Sequence, residues 1–409
     1  MLEGHNASRI RQQNLQAIVG SLRSSGTSSR AALAERLGLS RPTLTHALRE
    51  LIAAELVVEL DERQTVNATG RRRAVVALNA AAAHVLSVDI GGTKTALALH
   101  DLRGEICAEQ VIPTPTANLT ALTGAVRAGH RQLAGQHGLA AEPIALAAGV
   151  PGVVRPDGRI DNVPNLPILH GAPLGEALAG LFAGVAPGNV TVENDVNLAA
   201  VGERLYGVAR DLDHFAYLAL GTGLGAGVFS GGRLLRGAQG YAGELGEWRL
   251  QRTESRSLES ELSGEALRLS AAGRGWPAAT TFEIVAAALR GERAALEAVF
   301  DLLDRLAHAS AQLHTLLDLQ AVVLGGGLGA ALLARWPGEL HAALHRHHPR
   351  PPTLLASALN EHATLHGGAA WAVTRAWDHL AAVRLAAPRA APPRRPGPAA
   401  LSSTLGGQV

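Results

Sequence analysis

The residues that most constrain this chain are Asp89-Ile90-Gly91-Gly92-Thr93, set between two apolar runs, Val85–Val88 and Thr95–Leu99. Runs of that length bounded by turn residues predict two short strands joined by a tight turn. Gly91 and Gly92 accept positive φ and let a ligand approach the main chain, so their N–H groups and that of Thr93 can cradle a phosphate. Asp89 repels a phosphate and would instead hold a Mg²⁺ ion, or a water that bridges to one. Taken alone, the pentapeptide reads equally well as a plain hairpin turn. Four further glycine-rich or acidic turns downstream fit the same chemistry and give it weight.

At 409 residues the chain is long enough for two or three domains with sizeable cores. Its one cysteine, Cys107, excludes an internal disulfide and any multi-cysteine zinc site. The N-terminus has no charged-then-apolar leader and no apolar run reaches membrane-spanning length, so the reading is a soluble cytoplasmic protein without a membrane partner. Residues 1–83 hold eleven arginines against seven acids, whereas the remainder is net negative. Positive charge collected at one end suits a partner that presents a phosphate backbone.

Within that basic region, Ile10, Leu15, Ile18, Val19 and Leu22 recur at helical spacing, and Gly26 ends the helix. Ser28 or Ser29 can cap a second helix, Arg30–Leu37. Gly38-Leu39-Ser40 is a tight turn, and Ser40 caps a third helix with Pro42 in its first turn. That helix buries Leu44, Leu48 and Leu51 and leaves Arg41, Thr43, Thr45, His46 and Arg49 outward. Two strands follow, 56–60 and 74–78, around a loop that ends in Arg71-Arg72-Arg73. Helix, short turn, helix and basic hairpin is the winged helix-turn-helix pattern, assigned to residues 1–80, with duplex DNA as its partner. The plainer alternative is a small helical domain with a solvated basic loop.

After a short joint at 79–84, strands alternate with helices, the mark of an α/β region. A helix is expected over 120–135, a strand over 144–154 that breaks at Pro151-Gly152, and a polar turn at Asn162–Leu166 that can line a cleft. A strand from Val190 ends in Asn194-Asp195, ahead of a helix at 196–206. Residues 216–220 form a strand that leads into Gly221-Thr222-Gly223-Leu224-Gly225, a turn like the first one and readable as its duplicate in a second lobe. A glycine-spaced loop then carries Glu244 and Glu247. Helices dominate 258–318, a strand at 321–324 runs into Gly325-Gly326-Gly327, and a last helix spans His366 to about Ala382. The Ala/Pro/Arg-rich tail, 383–409, is expected to be disordered.

Together these turns resemble those of the ROK family (repressor, open reading frame, kinase), and the front domain points to its NagC/XylR-like transcriptional regulators. The resemblance spans roughly residues 9–380. It implies an α/β, actin-like ATPase (ribonuclease H-like) domain over 84–382. One lobe would be about 84–205 plus the final helix, and the other about 206–365. Asp89, Gly91, Gly92 and Thr93 match the family's first phosphate motif, Thr222, Gly223 and Gly225 the second, and Gly325, Gly326 and Gly327 the turn near adenosine. Asn194 and Asp195 match the sugar-binding pair whose aspartate is the catalytic base, while Glu244 and Glu259 match further sugar ligands. A sugar hydroxyl is a weak nucleophile at neutral pH, so a kinase needs a carboxylate such as Asp195 to take its proton. Asn194-Asp195 can equally cap the helix that follows.

Two departures from the family pattern matter. Glu247 stands where the kinases carry histidine, and Gln251–Ser257 has no cysteine where they carry a zinc-binding cluster. No structural zinc or other metal site is therefore expected. The resulting expectation is a sugar-responsive, DNA-binding regulator, a repressor, acting as a homodimer or dimer of dimers and requiring no cofactor. The alternative is a sugar kinase that uses ATP and Mg²⁺. Asp195, Glu244, Glu247 and Glu259 would converge on one cleft, where one must hold its proton or gain a cation such as Arg252 or Arg256. Without that cation a neutral or amino sugar is favoured over a sugar phosphate.

Overall fold

The structure, a computed structural model, describes residues 2–66, 72–139, 142–249, 256–276 and 280–386. Helix α1 (Leu2–Ser25) is followed by a short strand β1 (Thr27–Ser29), α2 (Arg30–Leu37) and α3 (Arg41–Ala53). The caps fall where side-chain chemistry requires them. Ser29 Oγ accepts from Ala32 N–H, Ser40 Oγ accepts from Thr43 N–H, and Gly38 ends α2 at φ 61. Leu15, Ile18 and Leu22 of α1 pack with Leu33, Leu44, Leu48 and Leu51. Ile10, expected on the same stripe, is 53 % exposed. At about 100° per residue it stands about 140° around the helix from Leu15. Strands β2 (Val57–Val66) and β3 (Arg72–Leu78) form the wing, and β1 pairs with the far edge of β3.

The rest of the chain builds two sheets of one design. In the first, β4 (Val85–Ile90), β5 (Lys94–His100) and β6 (Ile106–Pro113) make an antiparallel meander. After α4 (Leu119–Gln136), β7 (Leu146–Val150) adds parallel to β4; a small hairpin, β8 (Val153–Val154) and β9 (Ile160–Asp161), and α5 (Leu174–Ala179) follow. Strand β10 (Val190–Asn194) then adds parallel to β7 and leads into α6 (Asp195–Leu205). The order is β10-β7-β4-β5-β6.

In the second sheet, β11 (Phe215–Leu220), β12 (Leu224–Ser230) and β13 (Arg233–Leu234) repeat the meander. Helices α7 (Leu258–Glu261), α8 (Gly264–Gly273), α9 (Thr281–Leu289) and α10 (Arg293–Leu317) intervene. Strand β14 (Ala321–Gly325) pairs parallel to β11; α11 (Gly326–Arg335) and α12 (Pro337–His347) separate it from β15 (Thr353–Ala356). The order β13-β12-β11-β14-β15 repeats that of the first sheet, so the turns at Gly91-Gly92 and Gly221–Gly223 occupy equivalent places.

The last helix, α13 (Ala363–Ala386), starts before His366 and continues past 382, so residues 383–386 of the tail expected to be disordered are helical; residues 387–409 lie outside the described residues. It crosses α6 at the closest backbone approach that glycine allows. A Cβ on Gly367 would fall 1.8 Å from the Leu198 carbonyl oxygen, and one on Gly202 2.4 Å from that of Ala363. Toward its C-terminal half Ala372, Val373, Ala376, Trp377 and Leu380 join the same core as Leu22, Leu48 and Val76 of the winged domain. Arg23 Nη2 donates to Thr374 Oγ1 at 3.0 Å, and Trp377 Nε1 to the Leu102 carbonyl at 3.1 Å. The front domain and the last helix thus share one apolar interior.

Candidate functional site

The cleft is built where β10 gives way to α6. Asn194 caps that helix, its Oδ1 accepting from Asn197 N–H at 2.9 Å while its Nδ2 donates to the Gly152 carbonyl at 3.1 Å. One amide therefore both starts α6 and ties it to the Pro151-Gly152 turn. Asp195 follows, with Oδ1 accepting from Val196 N–H at 2.8 Å. A cavity of about 490 Å³ opens beside them and is also lined by Asn162, Asn165, Glu244, Glu247 and Glu259. All five residues expected to meet a sugar are thus brought together, although they are spread over 66 positions of sequence. Asn162 and Asn165 come from the polar turn, and Asn162 is held there at φ 49.

The electrostatics are one-sided. Burial pushes Asp195 up to about 7, and the charges of Asp89 and Glu244 push the same way. Burial likewise lifts Glu244 to about 7, helped by Glu247 and Glu259 and partly offset by a hydrogen bond from Asn162. Asp89 rises to about 6 by burial, with Lys94 opposing. Among the described residues lining the cavity none is Lys, Arg or His. Arg256, expected as a neutralising neighbour, reaches Glu261 at 3.5 Å instead, because its place just before α7 sets it beside that helix. Arg252 lies outside the described residues. Among the described residues no group of three His, Cys, Asp or Glu side chains is placed to hold a metal ion.

The glycine turns divide between two cavities. Gly223, Gly225 and Gly326 line the cleft, whereas Thr222 and Gly327 line a neighbouring cavity of about 400 Å³ with Phe282, Val285, Arg268 and Arg335. Gly221 lines both. Asp89, Gly91, Gly92, Thr93 and Gly325 line neither. Gly325 makes room for a neighbour, since a Cβ there would meet the Tyr217 hydroxyl at 1.9 Å. The Gly91–Thr93 turn is fastened by Thr114, whose hydroxyl donates to the Gly91 carbonyl at 2.7 Å and whose N–H donates to the Thr93 carbonyl. Sequence reasoning missed Thr114, since no local pattern marks it.

On the front domain Arg41, Thr43, His46 and Arg49 are exposed on α3, while Thr45 is half-buried. His46 Nε2 lies 2.8 Å from Glu50 Oε1, and Arg11 pairs with the same carboxylate, which fastens α1 to α3. Arg71 lies outside the described residues, and Arg72 and Arg73 are placed by their backbone in β3.

Residues 85–375 match the ROK family model, and residues 11–58 match a winged helix-turn-helix DNA-binding model. The chain belongs to the ROK family. Its kinase-like domain has the family's actin-like ATPase fold. It is similar to the bifunctional enzyme NanE/NanK of Brucella suis biovar 1, 34 % identical over 300 residues that make up 71 % of this chain and 53 % of the relative. It is also similar to the DNA-binding transcriptional dual regulator NagC of Escherichia coli, 29 % identical over 253 residues, 59 % of this chain and 58 % of the relative. The chain thus spans just over half the length of these curated relatives. A solved ROK family transcriptional regulator, a homolog of the E. coli MLC protein, superposes with a TM-score of 0.74 at 24 % identity, over 92 % of this chain and 99 % of that one. A ROK glucokinase from Streptomyces griseus, solved with glucose and AMPPNP, gives 0.60 at 27 %, over 70 % and 98 %.

Proposed function

We propose that this protein is a sugar-responsive transcriptional repressor that binds operator DNA through its winged domain and an unphosphorylated sugar through its cleft. The observation that carries this reading is the path of α13. Thr364, near its start, donates its hydroxyl to the Asp195 carbonyl at 3.3 Å, and its later turns lie in the core of the winged domain. A change at the cleft therefore has a rigid element through which to reach the reading head. Arg41, Thr43, Thr45, His46 and Arg49 would face the major groove, with Arg71, Arg72 and Arg73 on the backbone or in the minor groove. A dimer, or a dimer of dimers, would set two such heads on two half-sites.

Asn162, Asn165, Asn194, Glu244, Glu247 and Glu259 offer the amide and carboxylate groups that hydroxyls bind. A phosphate on the sugar would face four carboxylates, so the free sugar or an amino sugar is the expected effector. The test is to select sequences bound by the full-length protein from a random duplex pool and to titrate the cleft with matched sugar and sugar-phosphate pairs. Specific duplex binding with preference for the free sugar supports the reading. Tighter binding of the phosphate forms, or no sequence selected, contradicts it.

A second reading, an ATP-dependent sugar kinase, is favoured by one observation: Asp195, near 7, is poised to exchange a proton with a sugar hydroxyl. The second glycine turn fits a nucleotide in outline, whereas the first, Gly91–Thr93, lines neither cavity. The apolar cavity at Phe282 and Val285 suits a base, and Gly221 lines both it and the cleft. Asp89 would hold a Mg²⁺ ion, and the nucleotide, when bound, would supply the phosphoryl group. Asp195 would accept the hydroxyl proton while Asn194 and Glu244 fix the ring. Turnover that needs Mg²⁺ and is lost in Asp195→Asn would establish this reading.

A further inference from the structure

Outside the sugar cleft lies a further cavity of about 420 Å³. Arg155, Asp157 and Asp161 line it from the β8–β9 hairpin, and Gln239 and Tyr241 line it from the loop after β13. Both walls are rooted in the cleft. Asp161 immediately precedes Asn162, a cleft residue, and the Tyr241 carbonyl accepts from the N–H of Glu244, another, at 3.2 Å. The walls are also pressed together. Gly240, at φ 89, brings the loop so close that a Cβ there would meet the Val154 carbonyl oxygen at 2.4 Å. The two cavities share no lining residue, and their walls are tied together through Asp161-Asn162 and the Tyr241–Glu244 backbone bond.

Its chemistry is selective. The Arg155 guanidinium stands between Asp157 at 3.5 Å and Asp161 at 3.2 Å and hydrogen-bonds the latter, so planar donors and acceptors lie side by side. Tyr241, 41 % exposed, offers an aromatic face with a hydroxyl at its edge. Gln239 adds an amide that both donates and accepts. A ring with an apolar C–H face and a rim of hydroxyls satisfies all of these at once. A bare anion does not, because two carboxylates outnumber one guanidinium. We infer that this cavity is a second saccharide subsite, and that the effector is a disaccharide or other glycoside that places one ring in the cleft and the next against Tyr241. The inference rests on the cleft itself holding a sugar.

Calorimetric titration of the full-length protein tests it, with glucose, xylose and N-acetylglucosamine and the α- and β-linked disaccharides of each. The expected result is at least one disaccharide binding about tenfold or more tighter than its monosaccharide. Tyr241→Ala should remove that advantage and leave the monosaccharide affinity unchanged. Gln239→Ala, a second exposed position, should reduce it and guards against a folding defect in the first variant. Monosaccharide binding with no disaccharide tighter, or an advantage that survives both substitutions, overturns the second subsite alone. No binding by any member of the panel overturns the cleft reading, and this inference with it.

Discussion

Arg236 Nε donates to Glu193 Oε2 across 2.6 Å, which joins the loop that carries Glu244 and Glu247 to the strand that ends at Asn194. The other oxygen of Glu193 accepts from the Asn194 N–H at 3.0 Å and from Asn197 Nδ2 at 3.1 Å. The Arg236 guanidinium also lies 4.8 Å over the Trp371 ring of α13. One side chain therefore touches both halves of the cleft and the helix that reaches the winged domain. Arg236→Ala leaves the buried Glu193 carboxylate without its cation, at a cost of about 1–3 kcal/mol. The expected outcome in thermal unfolding is a lower Tm, and in titration a smaller effect of sugar on DNA affinity. Unchanged coupling would remove Arg236 from the path.

The crossing of α6 and α13 gives a sharper stability prediction. Gly367→Ala forces a methyl group into the Leu198 carbonyl, which is backbone and cannot swing aside, so the loss should reach or exceed the ~1–3 kcal/mol of ordinary overpacking. Gly135→Ala, in α4 with nothing within 4 Å, is the control and should be neutral or stabilising by about 0.5–1 kcal/mol. Equal effects in chemical denaturation would mean that the helices do not cross as closely as described.

Glu244 predicts a pH dependence with a definite sign. Its carboxyl is lifted to about 7 in the folded protein, so the folded state holds the proton more tightly than the unfolded chain does. The stabilisation is full below the unfolded value, ordinarily near 4, and is lost as pH rises through about 7. Between pH 5 and pH 8 the ligand-free protein should therefore lose Tm relative to Glu244→Gln, by about 2–4 °C for each ~1 kcal/mol of that stabilisation. Asp195 and Asp89, lifted in the same direction, add to the slope common to both proteins, whereas His100 and His130, lowered by burial to about 4, oppose it. Parallel curves for the two proteins would contradict the assignment.

The wing is tested through salt. Replacing Arg71, Arg72 and Arg73 together with alanine should weaken binding to every duplex and lower the slope of log K against log salt by up to about 3, close to one unit for each phosphate contact. An unchanged slope would place the basic run away from DNA.

What could be read in the sequence is what the backbone itself demands. The glycine turns, the serine caps and the strands that end in Asn194-Asp195 each carry their reason within five residues. The likeness of the two glycine turns was legible for the same reason, and the repeated strand order places Gly91-Gly92 and Gly221–Gly223 at equivalent hairpins. Relations set by packing at a distance were not. Glu193 and Arg236 lie 43 positions apart, and nothing near Glu193 distinguishes it from a solvent-facing acid. Glu50 resembles an exposed helix residue until α1 brings Arg11 against it. Strand β1 has only three residues and exists because β3 offers it an edge. Arg256 was one of two arginines offered as a cation for the cleft, and the turn into α7 carries it to Glu261.

The central claim is that the cleft and the winged domain share one equilibrium. The most direct measurement is the affinity of the full-length protein for a selected operator duplex, by fluorescence anisotropy, with and without a saturating sugar that calorimetry shows to bind. Coupled sites should give about 5–150-fold weaker operator binding with the sugar present, and by linkage the operator should weaken sugar binding by the same factor. Glu244→Gln should move the sugar affinity and leave sugar-free operator binding unchanged. An operator affinity that is the same with and without bound sugar would contradict the account.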